Sequence, residues 1–290
     1  MIEILGIDLG NYNINTSTGL CVESKIGPKS IFTTSPVIEY ANKQFCIGEG
    51  SFDTEYRKVK KENYLSLLYS AIGLSTNSNF IKVVVGLPIS QFTNDKAELI
   101  NLILQNSDMK GSIKGISRNI KITDVEVYPE GVGVVPGNFE GVIVDIGGRT
   151  TDICLITKNG AKRKIENPFS EPIGMINLYS DFIKILNSKY GLDLKMNDSE
   201  RILRNGLKIN GYVTDISGAM RVFKDYVDKI VTKLKVEYPI STVDVAFVGG
   251  GAIVLKKPLL SRISQGFLVE NSLFANANTF KKVGEQLWHK

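Results

Sequence analysis

The sequence predicts an α/β protein made of two related halves with a ligand cleft between them. Three observations support this fold class. Apolar strands alternate with helical segments along the chain, and the 290 residues suffice for two domains. In addition, one pattern occurs twice, because a buried strand ends in an aspartate and a glycine-led turn at Asp8 and again at Asp145. Since no linker separates the halves, we expect them to pack tightly around a ligand site.

The first half is predicted to contain strands and two helices. Its strands are apolar or alternating runs bounded by turn residues, and they are expected over residues 2–7, 15–23, 30–40, 82–87 and 119–128. Apolar residues at helical spacing predict a helix over residues 56–74. A second helix is predicted over residues 93–105, with Thr93 or Asn94 as its N-cap.

The second half follows the same plan. Its strands are expected over residues 141–146, 151–157, 162–165 and 244–248. Its helices are expected over residues 173–190, 198–205, 217–236 and 278–287. The order of strand, turn, two further strands and then helices therefore recurs, which indicates an internal duplication with a period too long for a solenoid.

Composition narrows the chemistry that the chain can perform. It has 35 basic and 30 acidic residues, three scattered cysteines and a single histidine, His289, near the end. A Ser-His-Asp or Cys-His site needs a positioned imidazole, and a zinc site needs clustered Cys or His residues, so both classes are excluded. Carboxylates, backbone amides, hydroxyls and Lys/Arg remain, and these groups serve Mg²⁺-assisted phosphoryl transfer.

The positive charges form two modest clusters in a chain of net charge +5. One comprises Arg57, Lys58, Lys60 and Lys61, and the other covers residues 162–164. We expect both clusters on solvated faces, because no nucleic-acid recognition motif accompanies them. The scattered cysteines fit reduced thiols, and the sequence suggests neither a signal peptide nor a membrane-spanning run. The expected location is the cytoplasm, with no membrane partner.

Two motifs combine a carboxylate with exposed backbone amides. The first consists of Asp8 and the turn at residues 10–13, and the second of Asp145 and residues 147–152. Amides in such turns can cradle phosphate oxygens, and the acids can hold Mg²⁺, usually through water. One turn from each half could therefore clamp a polyphosphate and its Mg²⁺ from both sides.

Two further motifs suit the rest of a nucleotide. Gly249, Gly250 and Gly251 follow a buried strand and let the backbone approach a flat ligand such as a nucleoside. They do not form G-x-G-x-x-G, and the chain has no G-x-x-x-x-G-K-[ST] loop, which excludes Rossmann and P-loop sites. Glu130 lies in a turn just before the second half, where a carboxylate could orient or deprotonate an attacking water.

In chain order these segments resemble the phosphate 1, connect 1, phosphate 2 and adenosine motifs of the actin, heat-shock chaperone and sugar kinase superfamily, and residues 276–287 resemble connect 2. The phrases VGLP, PEG, DIGGRTTD and GGGA are most similar to bacterial actin-like proteins of the ParM type, which are plasmid-segregation ATPases that polymerise. The resemblance implies two related ribonuclease-H-like (actin-like) domains flanking a nucleotide cleft. Domain I would comprise residues 1–139 and 275–290, and domain II residues 140–274.

The resemblance also implies roles for individual residues. Asp8 and Asp145 would hold Mg²⁺ through water, and Glu130 would position the hydrolytic water, so these three would be the catalytic carboxylates. The residues that would bind the nucleotide, ATP or GTP, are Gly10, Asn11, Tyr12, Asn13, Asn15, Gly147, Gly148, Arg149, Thr150, Glu200, Arg204, Gly249, Gly250 and Gly251. The match of Glu200 and Arg204 to a base-binding helix is loose, and a solvated amphipathic helix explains them equally well.

One position departs from the family pattern. Actin and many ParM-like proteins carry a lysine five positions after the phosphate 1 glycine, and this chain has Asn15 there. An amide can hydrogen-bond a phosphate but cannot neutralise its charge, so a nearby basic residue such as Arg149 is expected to compensate. Asn15→Lys should then tighten triphosphate binding, and unchanged or weaker affinity would contradict this expectation.

The resemblance implies a filament protein that hydrolyses ATP or GTP and drives plasmid DNA segregation. Its partners would be further copies of itself and a DNA-binding adaptor of the ParR type, with DNA bound only indirectly. Two alternatives stay open: a small-molecule, sugar-type kinase of the same superfamily, and a cytoskeletal bacterial actin without a segregation role. The kinase would need an acceptor site with its own aspartate. The base of the nucleotide, the filament geometry and the adaptor are not readable from the residues.

Overall fold

The computed structural model describes residues 2–30, 33–160 and 162–288, and two large β-sheets organise this part of the chain. Within these ranges the first sheet has ten strands, which are β1 (Glu3–Leu9), β2 (Asn13–Thr16), β3 (Cys21–Glu23), β4 (Lys25–Gly27), β5 (Val37–Tyr40), β6 (Lys43–Ile47), β7 (Ser51–Phe52), β8 (Phe80–Leu87), β9 (Asp108–Ile113) and β10 (Ile116–Pro129). The later strands are β11 (Gly141–Ile146), β12 (Thr151–Asn159), β13 (Lys162–Glu171), β14 (Leu207–Ile209), β15 (Tyr212–Thr214), β16 (Asp244–Val248) and β17 (Gly266–Leu268).

Helices flank both sheets. They are α1 (Tyr64–Ser75), α2 (Ile89–Gln105), α3 (Met175–Tyr190), α4 (Asp198–Asn205), α5 (Ser217–Glu237), α6 (Gly250–Val254), α7 (Lys256–Leu260) and α8 (Ala275–Trp288), with a short 3₁₀ helix at Lys58–Lys60. None of the helices in the described ranges is long and apolar enough to cross a membrane.

The two sheets repeat one topology. Five strands of the first sheet run in the order β3-β2-β1-β8-β10, and the second sheet runs β13-β12-β11-β16-β17. In each sheet the first three strands are antiparallel neighbours, and the last two join in parallel. The registers also correspond, because Asp8 lies opposite Asn15 and Asp145 lies opposite Asp152. The predicted duplication is therefore present in the fold.

Continuous apolar runs form the centre of both sheets. Every residue of β11 is buried, as are the last five residues of β8, because parallel strands covered on both faces need apolar side chains throughout. On the second sheet, α5 contributes Phe223, Val227, Ile230 and Leu234 at helical spacing to a core that also contains Val144 of β11. The loops that follow these central strands therefore start from rigid, well-packed positions.

The last helix, α8, returns to the first sheet. Its backbone lies in direct contact with the backbone of β1. At Gly6 the contact is so close that a Cβ would overlap the carbonyl oxygen of Ala277. This close approach brings residues from the end of the chain beside the carboxyl end of β1. On this arrangement we propose the same division as from the sequence, with residues 1–139 and 275–290 as domain I and 140–274 as domain II.

Two predicted elements of the first half differ from those observed. The helix expected over residues 56–74 begins only at Tyr64, because the basic residues before it form the 3₁₀ helix and hydrogen-bond to α2. The strand expected over residues 15–23 is two strands, β2 and β3, since Gly19 with φ 89° turns the chain between them.

Other differences concern boundaries and short strands. Of the strand expected over residues 30–40, the structure has β5 from Val37, and residues 31 and 32 lie outside the described residues, as does His289. Helix α2 begins at Ile89 directly after Pro88, earlier than predicted. Strands β4, β6, β7 and β9 extend the first sheet beyond β10 and were not predicted, because runs of two to six residues carry little periodic signal.

Candidate active site

The two glycine-led turns line one cleft between the two halves. The first turn, between β1 and β2, is held by Ser24, whose hydroxyl donates to the Gly10 carbonyl at 2.5 Å and whose amide donates to the Tyr12 carbonyl at 2.8 Å. The second turn, between β11 and β12, is closed by the Gly147 amide, which donates to the Thr150 carbonyl at 2.9 Å. Both turns are therefore built by internal hydrogen bonds before any ligand binds.

Glycine is required where the two turns meet. A Cβ at Gly148 would lie 2.5 Å from the Cβ of Tyr12 and 2.8 Å from its amide nitrogen. Gly174, at the start of α3, is equally confined, since a Cβ there would lie 2.6 Å from the carbonyl oxygens of Gly147 and Gly148. The turns of the two halves are thus in direct backbone contact.

Carboxylates from both halves converge in the cleft. Asp8 in β1 and Asp145 in β11 occupy equivalent places, and the Asn276 amide on α8 donates to one oxygen of each, at 3.3 and 3.1 Å. Glu130 follows β10 directly, and Asp152 lies opposite Asp145 in β12. The side chain of Asn276 therefore joins the two halves through their aspartates.

Burial and mutual repulsion raise the pKa values of the three aspartates in this group above their ordinary range. Burial, together with repulsion from Glu130, raises the pKa of Asp8 to about 7 and that of Asp145 to about 7. Burial is also the main cause that raises the pKa of Asp152 to about 6. A cleft with this excess of negative charge favours binding of a cation.

The donor set fits Mg²⁺, which prefers oxygen ligands and keeps much of its water. Asp8 and Asp145 line the cleft with carboxylate oxygens. Asn15 adds a buried Oδ1 that has no hydrogen-bond partner in the described part of the chain, and such an acceptor suits a water of a hydrated ion. Among the described residues, no group of three or more His, Cys, Asp or Glu side chains could hold a metal directly. We infer that Asp8 and Asp145 would hold the ion through water.

Lys58 is the principal cation of the cleft, which corrects the expectation that its cluster lies on a solvated face. Its side chain is 1% exposed, and its ammonium donates to Glu130 and lies 3.9 Å from an Asp8 oxygen. It also donates to the Gly86 carbonyl at 3.3 Å. Burial alone would lower the pKa of Lys58, but attraction by Glu130 and Asp8 outweighs burial and raises it. Lys58 therefore partly neutralises the carboxylates.

Helix α2 holds the basic segment in place. Arg57 makes two hydrogen bonds to the Asp95 carboxylate, at 3.1 and 2.5 Å, and Lys60 pairs with Glu98 at 2.6 Å. The Lys58 amide donates to the side chain of Gln91 at 3.1 Å. These contacts explain why the segment departs from the predicted helix and directs Lys58 inward.

Gly249, Gly250 and Gly251 form the beginning of α6, beside the end of β11. Gly249 has φ 92°, and a Cβ there would lie 2.6 Å from an Asp145 oxygen. Gly251 is also confined, because its Cβ would lie 2.9 Å from the Ile146 carbonyl oxygen. The backbone therefore passes close to the Asp145 carboxylate without intervening side chains, which glycine allows.

Glu200 on α4 lines the cleft, so this helix is not solvated on all sides. It accepts hydrogen bonds from Tyr179 at 3.3 Å and Tyr12 at 3.5 Å. Tyr12 in turn stacks on Phe52 of β7, with ring centroids 5.3 Å apart. Because Tyr12 and Glu200 come from different halves, this cluster links α4 to the first turn.

Most of the predicted site residues line the cleft, and two do not. The predicted residues that line it are Asp8, Gly10, Asn11, Tyr12, Asn13, Asn15, Glu130, Asp145, Gly147, Gly148, Thr150, Glu200, Gly249, Gly250 and Gly251. Arg149 instead donates to the Thr54 carbonyl at 2.6 Å, and Arg204 is exposed at the end of α4. Arg149 thus does not compensate for Asn15 as expected, and Lys58 is the cation that enters the cleft.

Sequence reasoning missed five polar residues that line the cleft: Lys58, Asp152, Tyr179, Ser272 and Asn276. Asp152 belongs to the second motif, at the position equivalent to Asn15, so comparison of the two halves could have found it. Asn276 begins the segment that resembles connect 2, and Lys58 stands in a basic run with charges three residues apart. Tyr179 has no signal in the sequence beyond a place on an apolar helix face.

Comparison with known families identifies this architecture. A model of the N-terminal domain of actin-like proteins matches residues 6–133, and a model of the C-terminal domain of the archaeal MreB-like actin homologue matches residues 143–261. Together the two models span more than four fifths of the chain. The chain is an actin-like protein. The N-terminal model falls in the first of the two sequence halves described above, and the C-terminal model falls in the second.

Solved structures of actin-like proteins share the fold over its full length. A 15-stranded ParM filament from Clostridium botulinum matches with TM-score 0.84 and 21% identity, covering 99% of this chain and 100% of that one. Ta0583, an archaeal actin homologue in complex with ADP, matches with TM-score 0.79 and 20% identity, covering 99% and 100%. Bacillus thuringiensis ParM with AMPPNP matches with TM-score 0.69 and 13% identity, covering 100% and 99%. A search of curated protein sequences finds no match.

These matches confirm the predicted resemblance to ParM-type actin-like proteins and the predicted fold class. At such identities the solved structures establish the fold of this actin-like protein and not its chemistry.

Proposed function

We propose that this actin-like protein forms nucleotide-dependent filaments and hydrolyses ATP or GTP with Mg²⁺. One observation carries the proposal: two glycine-led turns and a group of carboxylates face each other in one cleft of an actin fold. The likeness to a ParM filament and to an ADP-bound actin homologue supports both the nucleotide and the assembly.

Each part of the cleft has its own chemical task. Backbone amides of the turns that begin at Gly10 and Gly147 bind phosphate oxygens, and the Lys58 ammonium neutralises part of their charge. The Glu130 carboxylate accepts a hydrogen bond from a water and orients it toward the terminal phosphorus. The water oxygen bonds to phosphorus, and the bond from phosphorus to the bridging oxygen breaks with its electron pair on the nucleoside diphosphate. The protons of the water leave on the phosphate product. When bound at Asp8 and Asp145, Mg²⁺ supplies further charge neutralisation.

Assembly follows from the state of the nucleotide. Subunits with bound triphosphate join head to tail, which is a heterologous contact that does not close into a ring. Hydrolysis then weakens the contact and releases subunits. In the full proposal such filaments move plasmid DNA in the cytoplasm through a DNA-binding adaptor of the ParR type, and DNA is bound only indirectly.

Light scattering and sedimentation with Mg²⁺ and either ATP or GTP test the proposal. We expect scattering to rise with one triphosphate and to decay as phosphate is released, and comparing the two nucleotides identifies the preferred base. Glu130→Ala should still assemble but disassemble slowly, because its water is no longer oriented. Normal phosphate release from that variant would remove Glu130 from the proposed role.

The same experiment separates the filament from a small-molecule kinase of the same superfamily. A flat scattering trace at high protein concentration, together with transfer of phosphate to a sugar, would reverse the proposal.

A further inference from the structure

Lys61 is a buried cation that the proposed reaction does not use. The residue is 7% exposed, and its ammonium donates a hydrogen bond to Oδ1 of Asn11 in the first turn. Its ammonium forms no ion pair within 4.0 Å with any Asp or Glu among the described residues. A buried ammonium without an anion costs free energy. The fold therefore keeps a positive charge beside the first turn that has no direct ion-pair partner among the described residues.

The charged side chains of the basic segment, residues 57–61, point in two directions. In a 3₁₀ helix, side chains three residues apart share a face. Arg57 and Lys60 pair with acids on α2, whereas Lys58 enters the cleft and Lys61 contacts Asn11 in the first turn. Burial and the nearby Lys58 lower the pKa of Lys61 to about 8, and attraction by Asp53 and Glu130 offsets this only in part. The two hydrogen bonds of Arg57 to the buried Asp95 carboxylate hold the segment in place, whereas the exposed pair of Lys60 with Glu98 contributes little.

Lys61 also decides which way the Asn11 amide faces. A lysine ammonium only donates hydrogen bonds, so the Asn11 oxygen must face it and the Asn11 NH₂ group points away from it. Asn11 lines the cleft, and its NH₂ group is therefore free to donate to an acceptor there. Phosphate oxygens are acceptors of this kind.

We propose that Lys61 is a positioning residue for the phosphates of a bound nucleoside triphosphate. It orients the Asn11 amide as a donor toward them, and their negative charge balances its own. The pair Lys61 and Asn11 takes over the task of the lysine that Asn15 replaces. This inference rests on the proposed function, since it assumes that the cleft binds a nucleotide.

Lys61→Met tests the inference, because methionine keeps the length of the side chain and removes the charge. ATP, ADP and adenosine, and the guanine equivalents, are titrated with Mg²⁺ into wild type and variant below the concentration for assembly. We expect triphosphate affinity to fall about 10- to 100-fold, as for loss of a charged hydrogen bond. Diphosphate affinity should fall less and nucleoside affinity should not change. Without nucleotide, the variant should melt at the same or a higher temperature.

Two further variants exclude a merely structural effect. Lys60→Met removes an exposed ammonium from the same segment and should change affinity less than about twofold. Asn15→Lys combined with Lys61→Met should recover part of the triphosphate affinity, because it returns a charge to the first turn. Equal losses for triphosphate and nucleoside, or an equal loss in Lys60→Met, would overturn the inference.

Failure of the inference can be told apart from failure of the proposed function. If wild type binds a triphosphate and Lys61→Met binds it equally well, only the role of Lys61 is refuted. If wild type binds neither ATP nor GTP, the proposed function and this inference are both refuted.

Discussion

A single methyl group at Gly148 should force the two halves of this actin-like protein apart. The added Cβ would lie 2.5 Å from the Cβ of Tyr12 and 2.8 Å from its amide nitrogen, across the cleft. Nonbonded carbon atoms attract best at about 3.5–4.0 Å, so the turns must separate by about 1 Å. Neither contact is with the free end of a side chain, which means that a rotamer change cannot relieve the overlap.

A displacement of this size is expected to cost much more activity than stability. Overpacking costs about 1–3 kcal/mol, which a domain of this size can tolerate. A misplacement of about 1 Å in a catalytic arrangement can cost about 100-fold in rate. Gly148→Ala should therefore remain folded and release phosphate about 100-fold more slowly, because its two turns no longer hold one triphosphate from both sides.

Steady-state phosphate release and nucleotide affinity, with thermal unfolding as a check of folding, measure the effect. Gly147→Ala is the matched control in the same turn, since its Cβ would meet Thr150 of its own half, at 3.3 Å from the carbonyl oxygen and 3.8 Å from the hydroxyl. A folded Gly148→Ala with wild-type phosphate release, or a control impaired to the same degree, would refute the reasoning from direct contact between the turns.

Three further predictions concern stability. Phe280→Ala removes a fully buried ring of α8 and should cost about 3–5 kcal/mol in urea unfolding; a cost below about 1 kcal/mol would contradict that packing. Lys25→Met removes a buried ammonium that donates to Asn197 of the other half at 2.9 Å, and should cost about 1–3 kcal/mol by thermal unfolding. For Asp8 and Asp145, the folded pKa of about 7 exceeds the ordinary 3.8, so their stabilising contribution is complete below about pH 4 and lost as the pH rises through about 7. The urea midpoint of nucleotide-free, metal-free protein should fall accordingly between about pH 5 and about pH 8, and an equal fall in Asp145→Asn would argue against this origin.

Much of the fold was predictable because it depends on local pattern. The apolar runs of β11 and β16, and α4 with its stop at Gly206, appear where periodicity and turn residues indicated. The two aspartates and their turns were recognisable because strand, acid and glycine follow one another directly along the chain. The short strands β4 and β7 escaped, since they exist only by pairing with each other and with β6.

The charge balance of the cleft was not predictable in the same way. Lys58 and Glu130 are far apart in sequence, and each alone is typical of an exposed side chain. Their pairing depends on the contacts of Arg57 with α2, and on the strand order that places β10 beside β8. Arg149 lies within the second motif and was therefore the expected cation of the cleft, but its guanidinium donates to the Thr54 carbonyl.

By itself, the sequence determined the duplicated α/β plan, the two glycine-led turns and the carboxylates Asp8, Glu130 and Asp145, because strand and turn preferences act between near neighbours. Only the tertiary structure decided which cations balance those carboxylates, that Asn276 joins Asp8 to Asp145, and that Lys61 lies buried behind Asn11. Coulomb and hydrogen-bond energies depend on distance in space and on burial, and packing sets both.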